Sequence, residues 1–325
     1  MSKVMAKITS IEYYLPQRRV TNEDLAKENP DWNFSLIEKK TGILARHIAC
    51  ETESSLDLAV GAAEKILKSG VVAREAIDGL IYCTQSPEYV LPSSACIMQE
   101  RLKLPVSTAA FDYNLGCSGY IYGLAIGSAM LETRILNRIL LICADTYSQY
   151  IDRSDRTTRT VFGDGAAATL LERSDDHQTI GPFVLGTDGS GKDKIMVTPK
   201  LVDNALSREK YRLYVDGPGT YLFALQRVPE TVEELLRKAG KNIEDIDCFV
   251  FHQASRFVID ELRKILSLKE EKVFCCYEDI GNTVSASIPI ALKKAEEKRV
   301  IKTGDLIMLV GFGVGLSWGS CLVRW

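Results

Sequence analysis

Cys117 has a type and position suited to nucleophilic chemistry. It follows a strand-like segment and a Gly turn, and it opens a run of small and apolar residues spaced as on a buried helix. Backbone N–H groups at such a helix start favour a thiolate and donate to an oxyanion. We therefore predict that Cys117 is a catalytic nucleophile. The alternative is a small buried Cys that packs beneath the helix.

His252 and Asn282 are the residues best suited to assist it. His252 ends the apolar segment CFVFH and is one of three histidines, the others being His47 in a basic stretch and His177 in a polar one. An imidazole at a strand end can donate to a thioester carbonyl or exchange a proton near neutral pH. Asn282 offers an amide donor that cannot titrate, which suits a carbonyl that becomes an enolate. The alternatives are a hydrogen-bonded core histidine and a turn asparagine.

An internal repeat relates the segments that carry these residues. IDGLIYCTQS at 77–86 matches IDCFVFHQAS at 246–255, and each follows a helical segment that ends at a glycine, Gly70 or Gly240. ILLICAD and LIMLVGFG add a second matching pair of buried strands. In a third pair, FDYNLGCSG and YEDIGNTVSAS both pass from a strand-like start through a Gly turn into a helix, so Cys117 corresponds to Asn282.

The repeat predicts an α/β protein built from two pseudo-symmetric halves. We place the N-terminal half, with the nucleophilic Cys, at residues 1–172 and the C-terminal half, with the His and Asn, at residues 173–325. Alternating helices and buried strands predict mixed or parallel sheets with helices outside. Cys117 and Asn282 then point into one cleft between the halves. The polar stretch 190–210 is predicted to be a long surface loop near their junction.

Composition excludes several function classes. The chain has 325 residues, a net charge of −3 and a pI near 5.8, so it has no basic field for nucleic acid or an anionic membrane. Its nine cysteines form no CxxC pair and several lie in apolar segments, which predicts free thiols in a reducing compartment and no metal site. With neither a signal peptide nor an 18-residue apolar run, we expect a cytoplasmic protein.

Motifs along nearly the whole chain resemble the β-ketoacyl-ACP synthase III family of thiolase-fold condensing enzymes. In chain order the matching motifs are LPQRRVTNEDL, KTGILARHIA, LPSSACIMQ, GCSG, DR, FGDGAA, HQAS, GNTVSAS and GFGVGLSWGS. The resemblance implies a thiolase-like five-layered αβαβα fold, a homodimer, acyl-CoA and acyl carrier protein as partners, and no cofactor. FGDGAA resembles a phosphate loop superficially but lacks GxGxxG, and in this family it is structural.

The resemblance also implies a reaction. Cys117 takes an acyl group, and His252 and Asn282 bind a malonyl thioester, promote loss of CO₂ and stabilise the enolate that attacks the acyl-enzyme. Two neutral donors suit the developing charge. In the last motif Gly313 and Val314 bring backbone to the acyl carbonyl, completing an oxyanion hole with the Cys117 N–H. Many relatives have Gly at position 314; because a β-branched residue tolerates positive φ poorly, we expect an ordinary conformation there.

Several substrate-binding positions depart from the family pattern. Leu36 and Lys40 stand where the bacterial housekeeping enzymes have a Trp that stacks on adenine and an Arg, although Arg156 matches a second adenine-contacting arginine. Phe257 replaces another Arg, with Arg256 shifted by one position. These changes weaken the prediction of free acyl-CoA as donor and leave room for an acyl carrier protein or a specialised starter unit.

The remaining substrate-binding predictions concern the acyl channel. Gly217 and Tyr221 match tunnel-wall positions, and Ser255 of the HQAS motif is a further predicted substrate-binding residue. Leu91 matches a residue with which the partner subunit caps the acyl pocket, and leucine there permits short chains.

Three alternatives remain from the sequence. The first is a thiolase-fold relative that performs head-to-head or HMG-CoA-synthase-like condensation, or acyl transfer to an alcohol or amine; some of these need a carboxylate base, for which Glu88 is the candidate. The second is a cysteine hydrolase with the order Cys, His, Asn, but the chain lacks CGSCW and has the duplicated α/β organisation. The third is a non-enzymatic scaffold, which we expect to have lost one of the three residues.

Overall fold

The computed structural model describes residues 5–174, 179–202 and 205–325. The strands are β1 (Met5–Tyr14), β2 (Arg19–Thr21), β3 (Ala45–His47), β4 (Gly79–Cys83), β5 (Ala109–Tyr113), β6 (Arg138–Asp145), β7 (Gly165–Ser174), β8 (Thr179–Thr187), β9 (Ile195–Val202), β10 (Ala205–Val215), β11 (Cys248–Phe251), β12 (Leu306–Gly313) and β13 (Ser317–Arg324). The helices are α1 (Asn22–Glu28), α2 (Phe34–Thr41), α3 (Ser55–Lys68), α4 (Ser94–Arg101), α5 (Gly119–Glu132), α6 (Arg156–Arg159), α7 (Gly217–Ala239), α8 (Arg256–Ile265), α9 (Tyr277–Ile280) and α10 (Ser287–Glu297).

Two sheets repeat one topology. The first has the order β1-β7-β6-β4-β5 and the second the order β8-β13-β12-β11. In each, two neighbouring strands are parallel, β4 with β6 and β11 with β12, and antiparallel strands follow beyond β6 and beyond β12. In the first sheet β5 adds a further parallel strand beside β4. A parallel bridge from Phe249 to Val273 lies where β5 lies in the first sheet. The strand repeat is therefore as predicted. The boundary after residue 172 falls within β7 and stays a prediction.

Helices and sheets alternate in five layers. On the outer face of the first sheet, α3 and α4 bury Leu56, Ile66 and Met98. Between the two sheets lie α5 and α10, and on the outer face of the second sheet lie α7 and α8. The layering confirms the predicted αβαβα architecture. It also explains why α5 is apolar all round, since this helix is covered by a sheet on either side.

The repeated glycines end helices as the sequence indicates. Gly70 follows α3 with φ 77°, and Gly240 follows α7 with φ 61°. Both values lie in the left-handed region, which glycine adopts without steric cost. The opposite end of α3 is fixed by a capping box between Ser54 and Asp57. These signals set where each helix delivers the chain to the next buried strand.

The loop predicted for residues 190–210 is wrong. The segment contains β9 and the first half of β10, which pair in an antiparallel hairpin. Alternate residues Ile195 and Val197 of β9, with Leu213 and Val215 of β10, pack into a buried cluster that includes Cys117. The polar composition of the segment hid this period of two, which needs only one apolar face.

Within the described ranges, no helix is long and apolar enough to cross a membrane. His177 lies outside the described residues.

Candidate active site

Cys117 lies in the turn that leads from β5 into α5, with 7% of its surface exposed. Burial, together with the nearby Asp145 carboxylate, raises the pKa of the Cys117 thiol to about 12. The backbone N–H groups of Val314 and of Cys117 itself act in the opposite direction and favour the thiolate. The resting cysteine is therefore a thiol whose negative charge, when it forms, meets two fixed donors.

The loop after β12 presses against the nucleophile. A Cβ on Gly313 would lie 2.9 Å from both Cβ and Sγ of Cys117, so only glycine fits there. Gly313 and Gly315 have φ values of 159° and 137°, whereas Val314 between them has no positive φ. The expected ordinary conformation of Val314 is confirmed. The flanking glycines take up the positive φ values, and the Val314 backbone between them acts on the sulfur.

His252 and Asn282 form a buried neutral pair. The His252 Nε2 lies 3.3 Å from the Asn282 Nδ2, and its Nδ1 lies 2.7 Å from the Oγ of Ser287. The Asn282 Oδ1 accepts the Val284 N–H at 2.9 Å, so the NH₂ group is the end that faces His252. Burial lowers the pKa of His252 to about 3, so the imidazole is neutral at physiological pH.

The hydroxyl of Ser287 can set the tautomer of that imidazole. When Ser287 donates to Nδ1, the proton of the neutral ring is on Nε2. His252 Nε2 and Asn282 Nδ2 are then two N–H donors 3.3 Å apart, a spacing at which a single oxygen accepts from both. The pair can thus hold an enolate oxygen without a formal positive charge.

The three predicted catalytic residues converge at the end of β12. The ring of Phe312 packs edge-on against His252, with centroids 5.6 Å apart, and its neighbour Gly313 touches Cys117. The Asn282 N–H donates to the Val161 carbonyl, and the Asn282 carbonyl accepts from the Gly163 N–H. Phe162, between these two partners, belongs to the buried cluster that includes Cys117. The structure brings the three residues together, and their catalytic roles remain predictions.

Two family models match the chain: 3-oxoacyl-[acyl-carrier-protein (ACP)] synthase III over residues 111–189, and the C-terminal part of the same enzyme over residues 236–325. The β-ketoacyl-ACP synthase III of Natranaerobius thermophilus is 37% identical, covering 98% of this chain and 99% of that relative. The chain belongs to the 3-oxoacyl-ACP synthase III family. It is therefore an acyltransferase of the condensing type, and the predicted family, fold class and reaction type are confirmed.

Two further relatives agree along the whole length of the synthase. The β-ketoacyl-ACP synthase III of Caldanaerobacter subterraneus is 36% identical, covering 99% of this chain and 98% of that relative. A crystal structure of a 3-oxoacyl-ACP synthase III is 42% identical and superposes with a TM-score of 0.94, covering 99% of this chain and 100% of that one. The matched region therefore includes Cys117, His252 and Asn282.

A polar wall beside Cys117 was missed by the sequence reasoning. Tyr147 is buried in the same cluster as Cys117, and its hydroxyl donates to the Gln85 Oε1 at 2.5 Å. Gln85 Nε2 in turn donates to the Oδ1 of Asn114 at 2.8 Å. Gln85 and Tyr147 each stand two residues after a buried strand, β4 or β6, and the ends of neighbouring parallel strands meet at one edge. Their position at these strand ends was the sequence signal that could have placed them beside the site.

The predicted entrance residues lie on α2 and α8, which contact each other. Leu36 and Lys40 are exposed on α2, and Arg256 at the start of α8 packs against Gly42 just beyond α2. Phe257, which is 51% exposed, stacks on Tyr221 with ring centroids 5.0 Å apart. The structure thus gathers one group of predicted substrate-binding residues, together with an exposed aromatic pair.

The other predicted binding residues are more scattered. Gly217 begins α7 one turn before Tyr221, Ser255 is half-buried immediately before α8, and Arg156 is exposed at the start of α6. Leu91 is 83% exposed on the loop after β4 and is not part of the described cluster around Cys117 in its own chain. Their binding roles remain predictions.

The cysteine and acidic residues show no second chemical centre in the described ranges. All nine cysteines are free, and the described residues contain no group of His, Cys, Asp and Glu able to hold a metal ion. Asp164 of the FGDGAA motif is buried and accepts hydrogen bonds from the Ser148 hydroxyl and the Ala49 N–H. That motif is structural, as expected.

Proposed function

We propose that the synthase joins an acyl group carried on Cys117 to a malonyl thioester, with loss of CO₂. The observation that carries this proposal is the pairing of two donor sets: the N–H groups of Val314 and Cys117 at the sulfur, and the neutral His252–Asn282 pair at a second point of the same cleft. A condensation between two thioesters needs two places where a carbonyl oxygen becomes negative. Each donor set stabilises the negative oxygen at one of these two places.

The first half-reaction forms the acyl-enzyme. The Cys117 sulfur attacks the carbonyl of an acyl thioester, and the resulting oxyanion is held by the N–H groups of Val314 and Cys117. The bond to the departing thiol then breaks, and the cysteine proton leaves with that thiol, so one thioester replaces another. Because the free thiol has a raised pKa, we infer that it loses its proton only as the acyl donor binds and attack begins.

The second half-reaction makes the new carbon–carbon bond. The malonyl thioester carbonyl accepts from His252 Nε2 and Asn282 Nδ2 while the bond to its carboxylate breaks and CO₂ departs. The electron pair forms an enolate, whose carbon attacks the acyl carbonyl on Cys117. The C–S bond then breaks, giving a β-ketoacyl thioester, and the sulfur recovers a proton. Neutral donors suit this step because a fixed positive charge would also hold the carboxylate that must leave.

The acyl donor and the carrier are finer points of the proposal. Lys40, Arg156 and Arg256 are exposed cations that suit the phosphate of a pantetheine arm, whether on CoA or on acyl carrier protein. The side chain of Leu36 provides no π-face for a nucleobase. We therefore favour an acyl carrier protein as the donor, and no resident cofactor.

We also propose a homodimer located in the cytoplasm. β5 is the edge strand of the first sheet, with one side unpaired by any described strand. Val90, Leu91 and Val106 are 96%, 83% and 99% exposed, which is costly for apolar side chains facing water. A second copy, by pairing β5 with β5 and covering these side chains, would bury them and bring Leu91 towards the neighbouring acyl pocket.

The alternative reaction, condensation that uses a carboxylate base, is less well supported. Glu88 is exposed and its carboxylate accepts from the hydroxyl of Ser54, which caps α3. The carboxylate of Glu88 is therefore already hydrogen-bonded at the start of α3 in its own chain. Head-to-head condensation or acyl transfer to an alcohol or amine is therefore left as an outcome of the test.

The test is intact-protein mass spectrometry after incubation with a panel of acyl-CoAs and acyl carrier proteins. We expect an acyl adduct on the wild type and none on Cys117→Ala, followed by discharge and CO₂ release when malonyl carrier protein is added. His252→Ala and Asn282→Ala should load but discharge slowly. An adduct discharged only by another acyl thioester, an alcohol or an amine would establish the alternative.

A further inference from the structure

Asp145 is a buried carboxyl that the reaction above does not use. It ends β6 and has no exposed surface. Its Oδ1 accepts the Gln85 N–H at 2.7 Å and the Ser86 hydroxyl at 3.4 Å. Its Oδ2 accepts the Ser285 hydroxyl at 2.5 Å and the Ser285 N–H at 3.3 Å. One oxygen therefore holds a loop of the first half, and the other holds a turn of the second half.

The turn held by Asp145 contains a strained residue. Val284 has φ 54°, in the left-handed region that β-branched side chains rarely adopt, and it is fully buried. Such a conformation persists only where the surroundings over-determine it. On one side the Val284 N–H is bonded to the Oδ1 of Asn282, and on the other side the next residue, Ser285, is held by Asp145.

The strained conformation has a direct effect on the catalytic amide. Because the Val284 N–H turns back to the Asn282 Oδ1, the oxygen end of the amide is occupied and the NH₂ end faces His252. The φ torsion of Val284 sets how the segment before it, which includes the Asn282 side chain, is turned relative to Ser285 and α10. Because Ser287 of α10 holds His252, relaxing Val284 to a negative φ would turn the Asn282 NH₂ away from His252.

We propose that Asp145 is a positioning residue that clamps Ser285, maintains the strained Val284 and thereby aims the Asn282 NH₂ at the enolate oxygen. The inference rests on the proposed function, in which Asn282 acts in the malonyl step and not in acyl loading. It also couples the two halves, since the same carboxyl fixes Gln85 in the wall beside Cys117.

The test is Ser285→Ala, which removes one bond to Asp145 and leaves Asp145 in place. We expect malonyl-dependent discharge to fall about tenfold or more, since small misplacements of a catalytic group have effects of that size. Acyl loading of Cys117 should stay within about twofold, because its donors are backbone N–H groups. Thr169→Val, which removes a buried hydroxyl bonded to Tyr120, is the control for general loss of stability.

A second variant separates strain from packing. In the Ser285→Ala background, Val284→Gly should restore much of the discharge rate, because glycine adopts φ 54° without steric cost. Val284→Ala removes nearly the same side chain but keeps the preference for negative φ, so it should restore none. Equal effects of glycine and alanine, or equal loss of loading and discharge in Ser285→Ala, would overturn the clamp.

A crystal structure of Ser285→Ala gives a readout that does not depend on the acceptor. An Asn282 amide turned from His252 supports the clamp, and an unchanged amide overturns it. If the wild type itself is not discharged by malonyl carrier protein, the proposed function fails, and the amide direction still decides the clamp.

Discussion

Replacing Asn282 by an aspartate changes one atom group at the centre of the proposed malonyl site. The Oδ1 of the new side chain can still accept from the Val284 N–H. The other position, 3.3 Å from His252 Nε2, changes from a donor to a negatively charged acceptor. His252 would then donate to the introduced carboxylate in place of the substrate, and the developing enolate would face a like charge.

The size of the effect follows from two terms. Loss of one oxyanion donor costs about 10²–10³-fold in rate. Repulsion between unit charges about 4 Å apart is about 4 kcal/mol at an effective dielectric constant near 20, which is a further loss of about 10³-fold. Discharge of the acyl-enzyme by malonyl carrier protein should therefore fall more in Asn282→Asp than in Asn282→Ala. A protonated carboxyl donates again, so the rate of the Asp variant should rise as pH falls.

The assay is single-turnover discharge of pre-formed acyl-Cys117 followed by mass spectrometry, with CO₂ release in parallel. Acyl loading, measured in the same samples before malonyl carrier protein is added, is the internal control and should change by less than about threefold, since its donors are backbone groups. Retention of a tenth of the wild-type discharge rate by Asn282→Asp would refute the donor role of Asn282. Equal loss of loading and discharge would refute the separation of the two donor sets.

Three further predictions follow from burial at the site. Gly313→Ala, whose Cβ would lie 2.9 Å from the Cys117 sulfur, should slow acyl loading at least about tenfold, whereas Gly189→Ala, in open space, should not; loading kinetics compare them. Because burial raises the pKa of Cys117 to about 12, its alkylation by iodoacetamide should keep accelerating as pH rises to about 10, with no plateau near neutrality, as peptide mass spectrometry can show. Burial raises the pKa of Asp145 to about 7 and that of Asp164 to about 6, so the folded protein is more stable when each carboxyl is protonated. The free energy of unfolding should therefore fall as pH rises from about 4 to 7. Urea titrations should show a shallower fall for Asp145→Asn and for Asp164→Asn than for the wild type.

The sequence predicts the fold well where local signals are strong and periodic. Buried strands such as β6 and β12 are continuous apolar runs, and glycines end the two outer helices, so the repeat can be seen without a structure. The β9–β10 hairpin escapes because the apolar residues that pack inward, such as Val197 and Leu213, alternate with residues such as Thr198 and Arg212, and no continuous apolar run marks either strand. Its packing against Cys117 depends on contacts that are distant in sequence, which no local pattern records.

The sequence singles out the three residues proposed to be catalytic, but not the residues that hold them. Cys117, His252 and Asn282 are distinguished by residue type and by their places at strand and helix ends. Tyr147 and Asp145 also lie at or just beyond the end of β6, but their residue types do not single them out, because a tyrosine or aspartate at a strand end is commonly a surface residue. Their roles arise from partners about 60 or 140 positions away, Gln85 and Ser285, and from complete burial, which only the folded arrangement supplies.

The division of labour in the site follows from a difference between the two repeated halves. In the first half the chain passes from Cys117 into α5 within two residues, so the donors available there are backbone N–H groups, which suit a thiolate and a tetrahedral oxyanion. In the second half α10 begins five residues after Asn282, at Ser287. The intervening turn uses the Val284 N–H to orient a side chain, so the donors there are the Asn282 amide and the His252 imidazole. In the proposed reaction, one topology therefore presents backbone donors to the acyl carbonyl and side-chain donors to the malonyl carbonyl, and we infer that the length of the path to the helix decides which.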